Sequence, residues 1–122
     1  MQQKFIYYGR LPSINDYTNA CRRNPYVGAK MKKNAEREIM DAIIAGSVHS
    51  TSHTVELLYT FYEKDTRRDL DNISGFAHKV IQDALVNTGI IPGDGWNDIR
   101  GMRDMFRIDK KCPRIEVIII EV

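Results

Sequence analysis

The chain has 122 residues, 43% hydrophobic and 28% charged, with 18 Lys and Arg against 16 Asp and Glu for a net charge of +2. That length suits one small domain, residues 1–122, with a single core and an ordinary globular composition. No stretch approaches the roughly 20 apolar residues of a membrane helix, and the opening MQQKFIYYGR lacks the apolar run of a secretion signal, so a cytoplasmic setting is expected.

Lys4 to Tyr8 form a short apolar run ahead of Gly9 and Pro12, which predicts a first strand ending in a turn. Ser13, with Asp16 three residues later, predicts a capped helix carrying Ile14, Tyr17, Ala20 and Cys21 on one face. Pro25 and Gly28 predict an interruption, with the helix resuming near Ala29. From Met31 through Ala35, Ile39, Ala42 and Ile43 the apolar residues keep one face, and Gly46 is the expected stop.

The segment CRRNPYVGAKMKK, Cys21 to Lys33, holds Arg22, Arg23, Lys30, Lys32 and Lys33 without an acid. Such a cluster is either a solvated helix face or a phosphate contact, because grouped cations displace the counterions condensed on a polyanion. Cys21 and Cys112 have no Cys or His companion at zinc spacing and read as reduced thiols.

In HTVELLYTFYEK, Val55, Leu57, Tyr59 and Phe61 alternate with Glu56, Thr60 and Tyr62, the period of a strand with one buried face. Ile73, Phe76, Ala77, Val80, Ile81, Ala84 and Leu85 then step by three and one, a strongly amphipathic helix closed by Gly89. MRDMFRID and RIEVIIIEV read as two strands joined across KKCP, the second apolar on both faces as in a central strand. The resulting fold class is α+β, a small mixed sheet with two main helices packed on it.

Chemistry concentrates at RRDLDNI, Arg67 to Ile73, where the second strand ends and the second long helix begins. On an extended chain Asp69 and Asp71 point the same way. Neighbouring carboxylates repel unless a cation neutralises them, and a divalent ion with hard oxygen ligands is the usual one. The competing structural reading makes Asp71 the helix N-cap and pairs Asp69 with Arg67 or Arg68. An EF-hand is excluded, since Ile73, Ser74 and Val80 stand where a third oxygen ligand, the turn glycine and the closing glutamate belong.

A third carboxylate, Asp94, lies in PGDGWND beyond the helix. Asp98 competes with it, and Asp94 is preferred because Gly93 and Gly95 free its backbone. Trp96 reads as a packing residue rather than a base-stacking one.

RRDLDNI, HKVIQDAL and GIIPGDGW, spanning about residues 67 to 99, resemble the core of the RusA-type Holliday-junction resolvases, endonucleases of phages and prophages. LPSINDY and PRIEVIIIEV are compatible with the ends of that pattern. The resemblance implies a homodimer, in a bacterial host's cytoplasm, that is a crossover-junction endodeoxyribonuclease. It implies Mg²⁺ as cofactor, with Mn²⁺ as a substitute, held by Asp69, Asp71 and Asp94. Lys79 is the best match to a helix lysine of the family. In the best-known form of the motif that lysine follows the second aspartate by four residues, where this chain has Gly75, and the offset amounts to one helical turn, about 5 Å. Lys79 paired with Asp83 is the plainer alternative, and His78 a weaker substitute that otherwise reads as a solvated histidine.

On this reading Asp69, Asp71, Asp94 and Lys79 are catalytic: the ions polarise a phosphodiester and activate water while Lys79 stabilises charge on the phosphate. Arg67 and Arg68, with Arg22, Arg23, Lys30, Lys32 and Lys33, would hold DNA backbone. The partner expected is branched DNA, a four-way junction above all. A less selective branched-DNA nuclease and a non-catalytic DNA-binding dimer are the alternatives.

Overall fold

A computed structural model describes all residues, Met1 to Val122. The elements run β1 (Gln2–Tyr8), α1 (Ile14–Arg23), α2 (Pro25–Ala45), β2 (Val55–Glu63), α3 (Leu70–Asn87), β3 (Ile99–Ile108) and β4 (Arg114–Glu121). The chain is thus an α+β fold with a four-stranded mixed sheet and three helices.

The capping box forms as its residues dictate: Ser13 Oγ accepts from the Asp16 N–H and Asp16 Oδ2 accepts from the Ser13 N–H, both at 3.0 Å. α1 ends at Arg23, two residues before Pro25, because the residue preceding a proline is pushed to extended backbone. Asn24, at φ −166° and ψ 128°, takes that conformation, and its side chain caps the next helix by accepting from the Tyr26 N–H. The interruption is therefore one residue long, and α2 resumes at Pro25 rather than near Ala29.

Gly28 lies inside α2 and does not break it. A Cβ there would overlap Cys21 Sγ and stand 3.1 Å from the Cys21 Cα. The missing side chain lets α1 and α2 approach closely.

β2 buries Val55, Leu57, Tyr59 and Phe61 as the alternation requires, and Glu63 extends the series. A buried carboxylate needs a partner. Arg10, just past β1, donates to Glu63 Oε1 from Nη2 at 2.8 Å and from Nε at 3.2 Å. All seven apolar positions expected on α3 are buried. Gly89, at φ +76°, turns the chain out of that helix through a backbone region most side chains avoid.

The sheet order is β1-β4-β2-β3, with β3 parallel to β2 and the other pairs antiparallel. β4 is central, which its two-sided apolar sequence demands. β3 and β4 are consecutive but not neighbours, since β2 lies between them. α3 is the crossover between the parallel strands β2 and β3, and β3 forms one edge of the sheet.

Candidate active site

The polypeptide leaves β2 through an arginine-containing turn and enters α3 at Leu70. Asp69, not Asp71, occupies the N-cap position, with φ −69° and ψ 153°, and its side chain makes no capping hydrogen bond. Its carbonyl receives the Ile73 N–H at 3.1 Å. Neither arginine reaches it. Arg67 turns to Asp65, 3.8 Å away, while Arg68 donates to the Leu11 carbonyl at 3.0 Å and lies 3.5 Å from Asp16. The purely structural reading of the pair therefore fails on both counts.

Asp69 and Asp71 are both exposed. Because the helix begins between them, they do not share the single direction of an extended chain; each helical residue rotates the side chain by about 100°. Asp69 lines a hollow with Asp65, Arg68, Leu70, Phe106 and Arg107, and Asp71 does not.

Asp94 borders a different hollow, with Gln82, Trp96, Ile99, Arg100 and Met102. α3 carries the chain away from Asp69, and the turn after it delivers Asp94 to the start of β3 rather than back to the helix N-terminus. Asp98 stays half-buried in the same turn. A Cβ on Gly93 would come within 2.7 Å of Asp98 Oδ2, so this glycine makes room for Asp98, and neither Gly93 nor Gly95 has a positive φ. The reason for preferring Asp94 over Asp98 does not hold. Trp96 is 99% exposed, so within this chain it packs nothing.

One chain brings no three His, Cys, Asp or Glu side chains together in a group that could hold a metal ion. Asp69, Asp71 and Asp94 of the same chain do not fit a shared magnesium site.

Lys79 is exposed and free of Asp83, which binds Lys32 at 2.7 Å. The hydrogen bond to Asp83 holds the Lys32 ammonium above its ordinary range, so Lys32 ties α2 to α3 instead of facing outward like Arg22, Arg23, Lys30 and Lys33. Arg68 is likewise half-buried and engaged, whereas the Arg67 side chain is 89% exposed.

His78 is not a solvated histidine. Its Nε2 lies 2.8 Å from Asp104 Oδ1 of β3, and its ring packs on Tyr59 with centroids 4.6 Å apart. Gln82, one turn on, donates to the Tyr59 hydroxyl at 3.3 Å. Burial pushes the Tyr59 hydroxyl well above its ordinary pKa, with Asp104 adding to it and Gln82 opposing it. This polar cluster lies midway along α3 and couples the helix to the edge strand. Its pairing joins residues 26 positions apart, so no local pattern announces it.

Arg23, Arg10 and Arg68 line a further groove over α1 and α2, with Asp16 and Met31. No family model matches the chain, and no curated protein matches it.

Proposed function

We propose that the chain is the protomer of a homodimeric, structure-selective endodeoxyribonuclease of the RusA type, which hydrolyses phosphodiesters in four-way DNA junctions. The observation that carries this reading is the start of α3: two exposed carboxylates, Asp69 and Asp71, with no cap bond and no ion pair, while Arg68 beside them is engaged elsewhere. Neighbouring carboxylates repel one another, and a bound divalent cation would relieve that repulsion. The combination RRDLDNI, HKVIQDAL and GIIPGDGW supports a divalent-cation nuclease in particular.

Mg²⁺ is the cofactor of this proposal, with Mn²⁺ as its substitute, and such ions polarise phosphate oxygens and lower the pKa of water. The chain's own cations have separable tasks. Arg22, Arg23, Lys30, Lys33 and Arg67 are free to meet phosphate, Arg68 and Lys32 position the elements that carry them, and Lys79 is free to approach a strand crossing α3. A junction has approximate two-fold symmetry, so a symmetric dimer presents one site to each of two matched cuts. A bacterial cytoplasm, with a phage or prophage source, belongs to the same reading.

The test is a panel of labelled duplex, flap and four-way junction incubated with the protein and Mg²⁺. Paired cuts confined to the junction support the proposal. Equal cutting of flap and junction would leave a less selective nuclease, and binding without cutting a DNA-binding dimer.

A further inference from the structure

Trp96 is the only tryptophan of the chain, and it is 99% exposed. An indole carries one of the largest apolar areas of any side chain and is normally buried over much of it. Here it projects from a turn whose backbone is fixed around it. The Gly95 carbonyl accepts from the Asp98 and Ile99 N–H groups, both at 3.0 Å, and the Val55 N–H donates to the Asp98 carbonyl at 2.9 Å. The Thr54 hydroxyl donates to the Asn97 carbonyl at 2.8 Å. A ligand that packs on the indole therefore does not have to order this segment first.

The surroundings decide what that ligand is. Asp94, Gly95 and Asn97 beside Trp96 are exposed and offer no apolar side chain, and Met102 is the one other exposed apolar residue that borders its hollow. A protein interface is built on a contiguous apolar patch, which this turn does not supply. Arg100 borders the same hollow, is exposed, and pairs with no carboxylate of the chain. A free cation beside a free aromatic face is the combination that holds single-stranded nucleic acid, phosphate on the one and base on the other.

Resting on the nuclease reading above, we infer that Trp96 and Arg100 form a subsite for one unstacked nucleotide of branched DNA, its base on the indole and its phosphate on the guanidinium. This subsite selects branched DNA over duplex. Every interior base of a duplex has both faces covered by its neighbours, so stacking on Trp96 would first require extruding it. That cost is least for a base already unpaired or poorly stacked, as at a branch point. Asp94 borders the hollow as well, so the captured nucleotide lies beside an acid of the proposed site. Stacking tolerates any base, and the subsite thus reads shape without reading sequence.

Intrinsic fluorescence tests this at a single residue, excited at the red edge of the indole band, clear of tyrosine and DNA. The protein is titrated in chelator with an unlabelled four-way junction and with a linear duplex of the same length, and binding is followed in parallel by gel shift. Saturating junction should quench most of the emission, and saturating duplex much less. Emission unchanged at saturating junction overturns the inference. So does an indole that iodide fails to quench in the free protein, which would mean that another protein surface, a second copy included, already covers it.

Substitution supplies a second readout. At 99% exposure Trp96 supports nothing in the fold, so Trp96→Ala should keep the circular dichroism spectrum. Its junction affinity should fall about tenfold relative to duplex, the scale of one lost base stack, and Trp96→Phe should restore most of it. Arg100→Ala should weaken junction binding and reduce its salt slope by about one ion. No loss with Trp96→Ala, or an equal loss on junction and duplex, overturns the inference. Selective quenching by a wild type that cuts no DNA with Mg²⁺ would sink the nuclease reading alone, and junction cleavage without quenching, unaltered by Trp96→Ala, would sink the stacking subsite alone.

Discussion

Replacing Gly28 by alanine probes the closest helix contact in the molecule. An interior glycine in a helix normally costs about 1 kcal/mol relative to alanine, so the exchange would stabilise an unobstructed α2. Here the new methyl would overlap Cys21 Sγ and stand 3.1 and 3.2 Å from the Cys21 Cα and N. The sulfur can swing aside, but the backbone of α1 cannot, and forcing atoms into a packed contact costs about 1–3 kcal/mol. With backbone obstructing, the upper half of that range applies, and after the propensity gain the net loss is about 1–2 kcal/mol. For a domain of this size that lowers Tm by roughly 4–8 °C. Urea unfolding followed by far-UV circular dichroism gives the value directly. Cys21→Ala in the Gly28→Ala background should recover part of the loss, with a coupling of about 1 kcal/mol. A Gly28→Ala protein more stable than wild type would show that α1 and α2 do not cross as closely as described.

Three further outcomes follow from side-chain partners. Glu63→Ala strips the partner from Arg10 in a pair whose side chains are 7% and 20% exposed; unfolding free energy should fall by about 3 kcal/mol, and a loss under about 1 kcal/mol would make the pair incidental. The Ser13 backbone N–H holds the Asp16 carboxyl below the usual carboxylate range, with the Ser13 hydroxyl and Arg68 helping against burial. A depressed folded-state pKa contributes stability above the unfolded value of about 3.9 and loses it as pH falls through the folded one. The stability gap between wild type and Asp16→Asn should therefore be present at pH 6 and close below about pH 4, and a gap unchanged by acid would contradict the capping role. For DNA, Arg23→Ala should weaken binding and reduce the salt slope by about one ion, while Lys32→Ala should act on stability through the loss of Asp83; equal effects on binding would mean the Lys32–Asp83 bridge opens to let DNA in.

What was readable in the chain was local. The three-and-one spacing from Ile73 to Leu85 places α3 because an amphipathic helix repeats within itself, and the Ser13–Asp16 box places the start of α1 because both halves lie within one turn. Asn24 was legible only in part: the proline marked the break, but its one-residue length depended on Asn24 capping a new helix at once. Gly28 looked like part of that break because sequence does not distinguish a glycine that frees the backbone from one that admits a neighbouring helix. The same ambiguity misled at Gly93, which accommodates the Asp98 carboxylate rather than loosening Asp94.

The non-local features were hidden. β2 lies between β3 and β4, so the two last strands, adjacent in sequence, never pair. His78 meets Asp104 across that crossover, and Glu63 is buried by an arginine 53 positions away. The exposure of Trp96 also escaped a reading that treats tryptophan as core by default. For the acidic residues, the sequence singles out Asp69, Asp71 and Asp94 as candidates but not their distances, because the length of α3 sets two of them at one end of the helix and the third beyond the other.

The central claim is that the acids at the start of α3 serve DNA cleavage and not the fold. Asp71 makes no ion pair or hydrogen bond, so Asp71→Asn should leave the circular dichroism spectrum intact and stability within about 1 kcal/mol, the scale of a first-turn charge on the helix dipole. The decisive measurement is cleavage of a labelled four-way junction by wild type and Asp71→Asn, with Mg²⁺ or with chelator, beside that folding control. The account predicts paired junction cuts by the wild type, abolished by chelator and by the substitution in a fully folded variant. Undiminished cutting by Asp71→Asn, or loss of cutting accompanied by loss of the folded spectrum, would contradict it.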